Sequence, residues 1–255
     1  QSAEQTVGRD LPGYAIGGVS VGEGHELMMQ AVDDAEPLLP ADRPRYLMGV
    51  GLPEDIVGAV GRGMDMFDCV IPTRYGRSGT CFTSQGRIRV TDRRYRRDFF
   101  PIDPTCECMA CTNFSRAYIH HLHKAGELLG TMLCTLHNVA WYHRLLRDIR
   151  SAIEAGRYDE FCATFELEYL KNDRERRREP FEPGLFARME VGEARARASR
   201  VLRAHDDTPK ERPRSRPPNR RPGATEKPHP GGADRPRSSA AEKRRSGGGD
   251  KRRKR

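Results

Sequence analysis

Apolar residues in the first 80 positions fall into short runs, each closed by glycine and followed by a helical period. Residues 1–10 read as the end of a helix closing at Gly8, and Tyr14–Ile16 as a strand broken by Gly17 and Gly18. Adjacent glycines after a strand permit a backbone that a Cβ would forbid, or a ligand's close approach to the amides; a plain tight turn is the simpler alternative. Residues 26–39 read as a helix ending before Pro40, and 43–50 (RPRYLMGV) as a second strand. Pro53, with Glu54 and Asp55 in the first turn, marks the start of a helix whose Ile56, Val57, Ala59 and Val60 face a sheet. Strand, glycine turn and helix, repeated and returning to a strand, is the βαβ pattern of a parallel sheet, whose chemistry sits at the strand ends.

The third run, residues 64–71 (MDMFDCVI), is too short and too uniformly apolar for an amphipathic helix. A fully buried parallel strand is expected, followed by a Pro-Thr-Arg turn and a basic loop. Asp68 lies inside it. Desolvation makes a carboxylate there costly unless something uses it. It either caps a helix or pairs with Arg74, or it does chemistry; the run alone does not decide.

Beyond it, TCFTSQGRIRV reads as a β-hairpin turning at residues 84–86. Arg93, Arg94, Arg96 and Arg97 around Tyr95 suit phosphate contact, or a merely solvated face. Cys106, Cys108 and Cys111 form C-x-C-x-x-C, which can close on one tetrahedral ion, with Zn²⁺ the default for soft thiolates. The fourth ligand is open among His120, His121, His123 and His137. The first three lie on one amphipathic helix, where at most one faces the metal; His137 opens the next helix and is favoured only weakly by spacing. Residues 160–170 continue helically, and 187–204 offer one more exposed, Arg-studded helix.

Charge then divides the chain. Residues 1–171 carry 19 Lys/Arg against 23 Asp/Glu, a net of −4, whereas residues 172–255 carry 26 against 13, a net of +13. The first part has an ordinary globular composition. The second, rich in Pro, Arg, Gly and Ser, lacks the apolar content to offset chain entropy and is expected to be disordered, its basic runs attracting nucleic acid or simply solubilising. No apolar run is long enough to span a membrane. The seven cysteines, odd in number and clustered, suit a metal site in a reducing cytoplasm better than a disulfide framework. The start, QSAEQTVGRD, has no signal-peptide pattern and no initiator Met, so the chain is expected to begin part-way through something larger.

YAIGGVSVGE, RYLMGVGLPEDIV, DMFDCVIPTR, the C-x-C-x-x-C run and the LHN at 136–138, in that order, resemble the bacterial tRNA-guanine transglycosylases, also called queuine tRNA-ribosyltransferases. The resemblance covers about residues 1–170. It implies an α/β fold: the C-terminal portion of a TIM (β/α)8 barrel with an inserted zinc-binding subdomain, then the disordered basic tail. Residues 1–80 would hold the last βα units, 81–171 the hairpin, zinc subdomain and C-terminal helices, and 172–255 the tail. The barrel's N-terminal half, with the family's general acid/base Asp and the Asp and Gln that bind the base edge, has no counterpart here.

Position by position, the resemblance implies that Asp68 is the nucleophile, in an exchange of guanine at the tRNA wobble position, in GUN anticodons, for the 7-deazaguanine preQ1. The route is a covalent ribosyl-enzyme intermediate. Gly18 would bond the base through its amide, with Tyr46 and Met48 lining the base pocket. Gly49, Val50, Gly51, Leu52, Pro53, Glu54 and Asp55, and Thr73, Arg74, Tyr75, Gly76 and Arg77, would form two tRNA-contact loops, although TRYGR stands here where TRNAR is commoner. One zinc per chain would sit on Cys106, Cys108, Cys111 and His137. Val21 matches members that use preQ1. A cytoplasmic homodimer acting on tRNA, preQ1 and guanine is implied. The alternative is a non-catalytic, zinc-dependent tRNA-binding protein or partner subunit.

Overall fold

In the computed structural model, which describes residues 2–186, three short strands pair in parallel in the order β1 (Tyr14–Ile16), β2 (Arg45–Leu47), β3 (Met66–Phe67). Ala15 stands opposite Tyr46, and Tyr46 opposite Met66. After α1 (Ser2–Val7), the crossovers are α2 (His25–Ala35), extended by a 3-10 turn to Leu38, and α3 (Pro53–Gly61). Proline at the first position of α3 costs no hydrogen bond, because that N–H has no partner within the helix. Met28, Met29 and Val32 of α2 and Ala59 of α3 close with Leu47, Val50 and Met64 into one apolar cluster.

Two expectations need correction here. The run 64–71 is not a buried strand: β3 has two residues, and Met66 and Val70 are 50 % and 54 % exposed. As the last strand in the order, β3 is covered on one side only. Nor is Pro72-Thr73-Arg74 a turn into a basic loop. Pro72 stands in the first turn of a helix, α4 (Ile71–Arg77), so the chain changes from strand to helix over Asp68, Cys69 and Val70.

A hairpin follows, β4 (Thr80–Thr83) with β5 (Gly86–Arg89), in antiparallel register with Phe82 opposite Arg87. A 3-10 turn over Arg93–Arg97 leads to α5 (Met109–Asn113) and α6 (Arg116–Ala125). Then comes α7 (Leu128–Glu154), whose 27 residues span about 40 Å at ~1.5 Å per residue. α7 is the spine on which α4, α5, α6, β4 and α8 (Tyr158–Phe165) pack. A Cβ on Gly76 of α4 would come within 2.7 Å of the Thr135 backbone, so glycine sets how closely α4 and α7 approach.

Ile56 and Val57 share a core with Phe82, Trp141, Tyr142, Tyr158 and Tyr169. The α/β layer and the helical layer therefore have one interior. The folded part runs past Lys171: a π turn (Glu166–Leu170) continues into α9 (Lys171–Arg177), where Asp173 is buried and bonds Arg87 of β5 through its N–H and guanidinium at 2.5–3.1 Å. Phe186 also enters the core. The expected helix over 187–204 and the remainder of the basic tail lie outside the described residues.

Candidate active site and metal centre

Parallel pairing brings the C-terminal ends of β1, β2 and β3 to one edge, which gathers Gly17-Gly18, Met48-Gly49 and Asp68. Asp68 is exposed rather than buried, so the costly desolvation expected for it does not arise. Its Oδ1 accepts two hydrogen bonds, from the Tyr46 hydroxyl at 2.6 Å and the Gly49 amide at 2.8 Å. Those bonds, the hydroxyl's first, hold the carboxyl below its ordinary value; the same contact raises the Tyr46 phenol. The group is thus a pre-oriented carboxylate at neutral pH, and among the described residues no bond engages Oδ2. Neither structural role weighed for Asp68 is realised. It has no ion pair with Arg74 among the described residues, and α4 starts at Ile71, after Val70, without a side-chain cap.

Gly49, which donates its N–H to Asp68, has φ +75°, a conformation that glycine adopts without strain. Gly18 has φ +78° and is exposed, with open space on the side where a side chain would project. Gly17 borders Met48: a Cβ there would stand 3.4 Å from the sulfur of the half-exposed thioether, which lies beside β1. Tyr46, expected to line a base pocket, has its hydroxyl committed to Asp68.

Of residues 49–55, most face inward. Val50, Gly51, Pro53, Glu54 and Asp55 are buried, Leu52 is half-buried and Gly49 alone is exposed. Asp55 bonds His25 Nδ1 at 2.6 Å, and Glu54 faces Arg87 at 3.7 Å, its carboxyl raised by burial. Gly51 packs so closely on Cys69 that a Cβ would come within 2.2 Å of its Cβ and Sγ, and the Gly51 carbonyl accepts the Tyr142 hydroxyl at 2.6 Å. The second segment, 73–77, is helical. Tyr75 stacks on Phe82 with ring centroids 5.7 Å apart, Gly76 is buried, and Thr73 bonds the Val70 carbonyl. Arg74 and Arg77, three apart on one helix face, are its exposed cations.

The second centre is built from Cys106, Cys108, Cys111 and His137, whose ligand atoms all lie within 4.8 Å of one another. His137 does not open a helix: it sits well inside α7, which starts at Leu128. Its Nδ1 lies 3.5 Å from Cys108 Sγ and 3.3 Å from Cys111 Sγ. Tetrahedral Zn²⁺ with bonds of about 2.3 Å to sulfur and 2.0 Å to nitrogen requires S···N of about 3.5 Å, so the donor set fits that ion. Nε2 faces the Phe82 carbonyl at 2.7 Å, which places the proton there and leaves Nδ1 as the ligand atom. Contacts with Cys106 and Cys111 push the Cys108 thiol down, whereas Cys111 is pushed up by its contacts with Cys106 and Cys108, so that without a cation one thiol ionises at the expense of its neighbour.

The neighbouring Asn138 carries no local signal of its role in the sequence. Fully buried, it accepts from the Phe82 N–H at 3.1 Å and donates to the Pro72 and Thr80 carbonyls, both at 2.9 Å. His137 and Asn138 together thus satisfy the outward N–H and C=O of Phe82 on β4. The profile described as queuine tRNA-ribosyltransferase (TGT) matches residues 1–171.

The chain belongs to the queuine tRNA-ribosyltransferase family.

Similarity to individual members agrees. Queuine tRNA-ribosyltransferase of Granulibacter bethesdensis is 54 % identical over 170 residues, which are 67 % of this chain and 45 % of that protein. The Thiobacillus denitrificans protein of the same name is 53 % identical over 165 residues, 65 % of this chain and 45 % of that protein. The one from Symbiobacterium thermophilum is 53 % identical over 177 residues, 69 % and 44 % respectively. The chain therefore spans a little under half the length of the curated relatives it matches. Both centres, Asp68 with its two donors and the Cys3His set, lie within the part that carries the family match.

Proposed function

We propose that this chain is the C-terminal part of a tRNA-guanine transglycosylase, with Asp68 as its nucleophile. The observation that carries the reading is the Asp68 carboxylate: ionised, exposed at the sheet edge, one oxygen fixed by Tyr46 and Gly49 and the other uncommitted. In the proposed reaction, Oδ2 attacks C1′ of the wobble ribose as the C1′–N9 bond to guanine breaks, giving a covalent ribosyl ester. N9 of the incoming preQ1 then attacks C1′, giving up its proton to the same second acid–base group that served guanine, and the C1′–O bond breaks to release the carboxylate. The bonds to Oδ1 orient the nucleophile for the first step, and lowering its pKa makes it a better leaving group in the second.

Gly18 would offer its amide and Met48 its thioether to the flat base, while Arg74 and Arg77 would meet tRNA beside the anticodon. The proton of the departing guanine needs a second acid, for which the family resemblance finds no match among these 255 residues. The chain thus supplies one half of a two-carboxylate site, as the last three strands of the barrel. Cys106, Cys108, Cys111 and His137 would hold one Zn²⁺, which when bound supplies a cross-link rather than reaction chemistry, since its four positions are filled by protein. A cytoplasmic homodimer is part of the same proposal. None of the described helices is long and apolar enough to cross a membrane.

The test is exchange of labelled guanine into tRNA by the complete protein. Asp68→Asn should abolish both exchange and the tRNA adduct that survives denaturation; an adduct persisting in that variant removes Asp68 from the role.

A further inference from the structure

The arginines around Tyr95 divide into two sets with different work. In the 3-10 turn Arg93–Arg97, residues three apart share a face, which places Arg93 with Arg96 and Arg94 with Arg97. Arg94 is structural: its guanidinium lies 4.9 Å from the centre of the buried Tyr95 ring and pairs with Asp92 at 3.3 Å. Arg116 flanks the same ring at 5.6 Å and pairs with Asp98 at 3.0 Å. Both nearby carboxylates are therefore occupied.

Arg93 and Arg96 are exposed and have no hydrogen bond or ion pair among the described residues. They line an open depression of about 580 Å³ together with Thr91 and one face of α6, formed by Ala117, His120, His121 and Lys124. Lys124 is likewise exposed and unpaired among the described residues, and no carboxylate lines the depression. His120 forms part of the wall, its Nδ1 on the Val90 carbonyl at 2.8 Å. Three cations thus line one concavity that has no carboxylate in its wall, while Asp92 and Asp98 nearby pair with other arginines. Unpaired like charges brought together in this way repel one another, a cost that an anion offsets.

Guanidinium groups are shaped for phosphate oxygens, and the depression is an order of magnitude larger than the ~30 Å³ share of one water. Room on that scale suits a sugar-phosphate unit rather than a lone ion. We infer that the depression between the Arg93–Arg97 turn and α6 is a phosphate-binding groove for an RNA backbone, contacted by Arg93, Arg96 and Lys124 and separate from the Asp68 edge. The inference rests on the proposed RNA substrate for its choice of polyanion. Contacts of this kind position RNA without reading its sequence.

The experiment compares the full chain with Arg93→Ala/Arg96→Ala/Lys124→Ala by fluorescence anisotropy. The probes are a tRNA with a GUN anticodon and an unrelated RNA duplex, each over a series of salt concentrations. A charge-matched control, Arg147→Ala/Arg150→Ala/Arg157→Ala, removes three exposed cations elsewhere. Three lost phosphate contacts should lower the slope of log K against log[salt] by about 2–3 and weaken binding on the order of 100-fold at 0.1 M salt, for both RNAs. The control should change little, and circular dichroism and zinc content should match wild type in both variants.

Equal loss for both RNAs with no preference for tRNA would sustain the groove while sinking the substrate reading. An unchanged slope, equal losses in the control, or no RNA affinity in the wild-type chain would overturn the groove. So would a variant that alters self-association instead of RNA affinity, which would make this face a contact between copies of the chain.

Discussion

Replacing Asn138 by Ala is expected to be among the most damaging single changes in the helical layer. Its carboxamide is fully buried and makes three hydrogen bonds of 2.9–3.1 Å, to the Phe82 N–H and to the Pro72 and Thr80 carbonyls. Truncation strands one buried donor and two acceptors. At about 1–3 kcal/mol for each group left unsatisfied, with carbonyls at the low end, the loss comes to roughly 3–5 kcal/mol. For a folded unit of this size each kcal/mol shifts Tm by about 2–4 °C, so the midpoint should fall by on the order of 10 °C. Asn138→Asp sharpens the test. It keeps an acceptor for Phe82 but faces two carbonyls with a carboxylate, and should be at least as damaging as alanine. Thermal melts of the zinc-loaded full chain, followed by circular dichroism, measure both. A midpoint within about 2 °C of wild type for Asn138→Ala would show that the three bonds do not carry the junction between α4, β4 and α7.

Tyr46→Phe removes the largest of the causes that hold the Asp68 carboxyl down. A depressed carboxyl keeps its charge above its folded pKa and loses it as pH falls through that value, so the acid limb of exchange by the complete protein should move to higher pH; an unmoved limb would refute the bond's role. Asp173 is drawn upward by burial but held below its ordinary value of 3.8 by its bonds from Arg87. Asp173→Asn leaves that guanidinium buried and should cost about 3–5 kcal/mol near neutral pH. The difference should shrink as pH falls below 3.8 and wild type itself becomes protonated, and a denaturation series showing a constant gap would contradict this. Gly51→Ala forces a Cβ to within 2.2 Å of Cys69 and should displace its neighbour Asp68, reducing exchange with a stability loss of about 1–3 kcal/mol; full activity would mean the loop yields freely. Metal analysis should find one zinc per chain, lost in Cys106→Ala, and unchanged content would exclude that ligand.

What the sequence disclosed and what it hid divide along the range of the interactions. Tyr14–Ile16 and the start of α3 at Pro53 were legible because an apolar run and a helix-initiating proline are local signals. The thiols of C-x-C-x-x-C were legible for the same reason. The run 64–71 misled, because Met66 and Val70 are apolar without being buried by the described residues. His137 looked like the opening of a helix because the real start at Leu128 follows a glycine, Gly126, whose left-handed φ of +75° closes α6 just before α7 begins. The bond from Tyr46 to Asp68 depends on register across a parallel pair, and the Arg87–Asp173 pair spans 86 positions; neither leaves a periodic trace. Only the resemblance to a family, carried by ordered motifs, reached across such distances in choosing His137 from four histidines.

The Cys3His set and the Asp68 edge are joined through α7, which gives the proposed metal a structural part in the proposed chemistry. His137, within the Cys3His set, and Asn138 beside it grip β4 through Phe82, and Asn138 also holds the Pro72 carbonyl in the first turn of α4. That turn begins three residues after Asp68. One helical turn further along α7, Tyr142 donates to the Gly51 carbonyl, in the loop whose Gly49 amide bonds Asp68. The carboxylate is therefore approached from both flanks by hydrogen bonds that start on α7. A site on loops is only as exact as the elements that anchor it. Fixing α7 against the cysteine loop fixes the frame of Asp68, so loss of the His137 ligand should impair base exchange by the complete protein more than it impairs RNA binding through exposed arginines. His137→Ala is expected to lower kcat with little change in affinity for tRNA; equal loss of both, or unaltered kcat, would break the proposed link between the metal centre and the nucleophile.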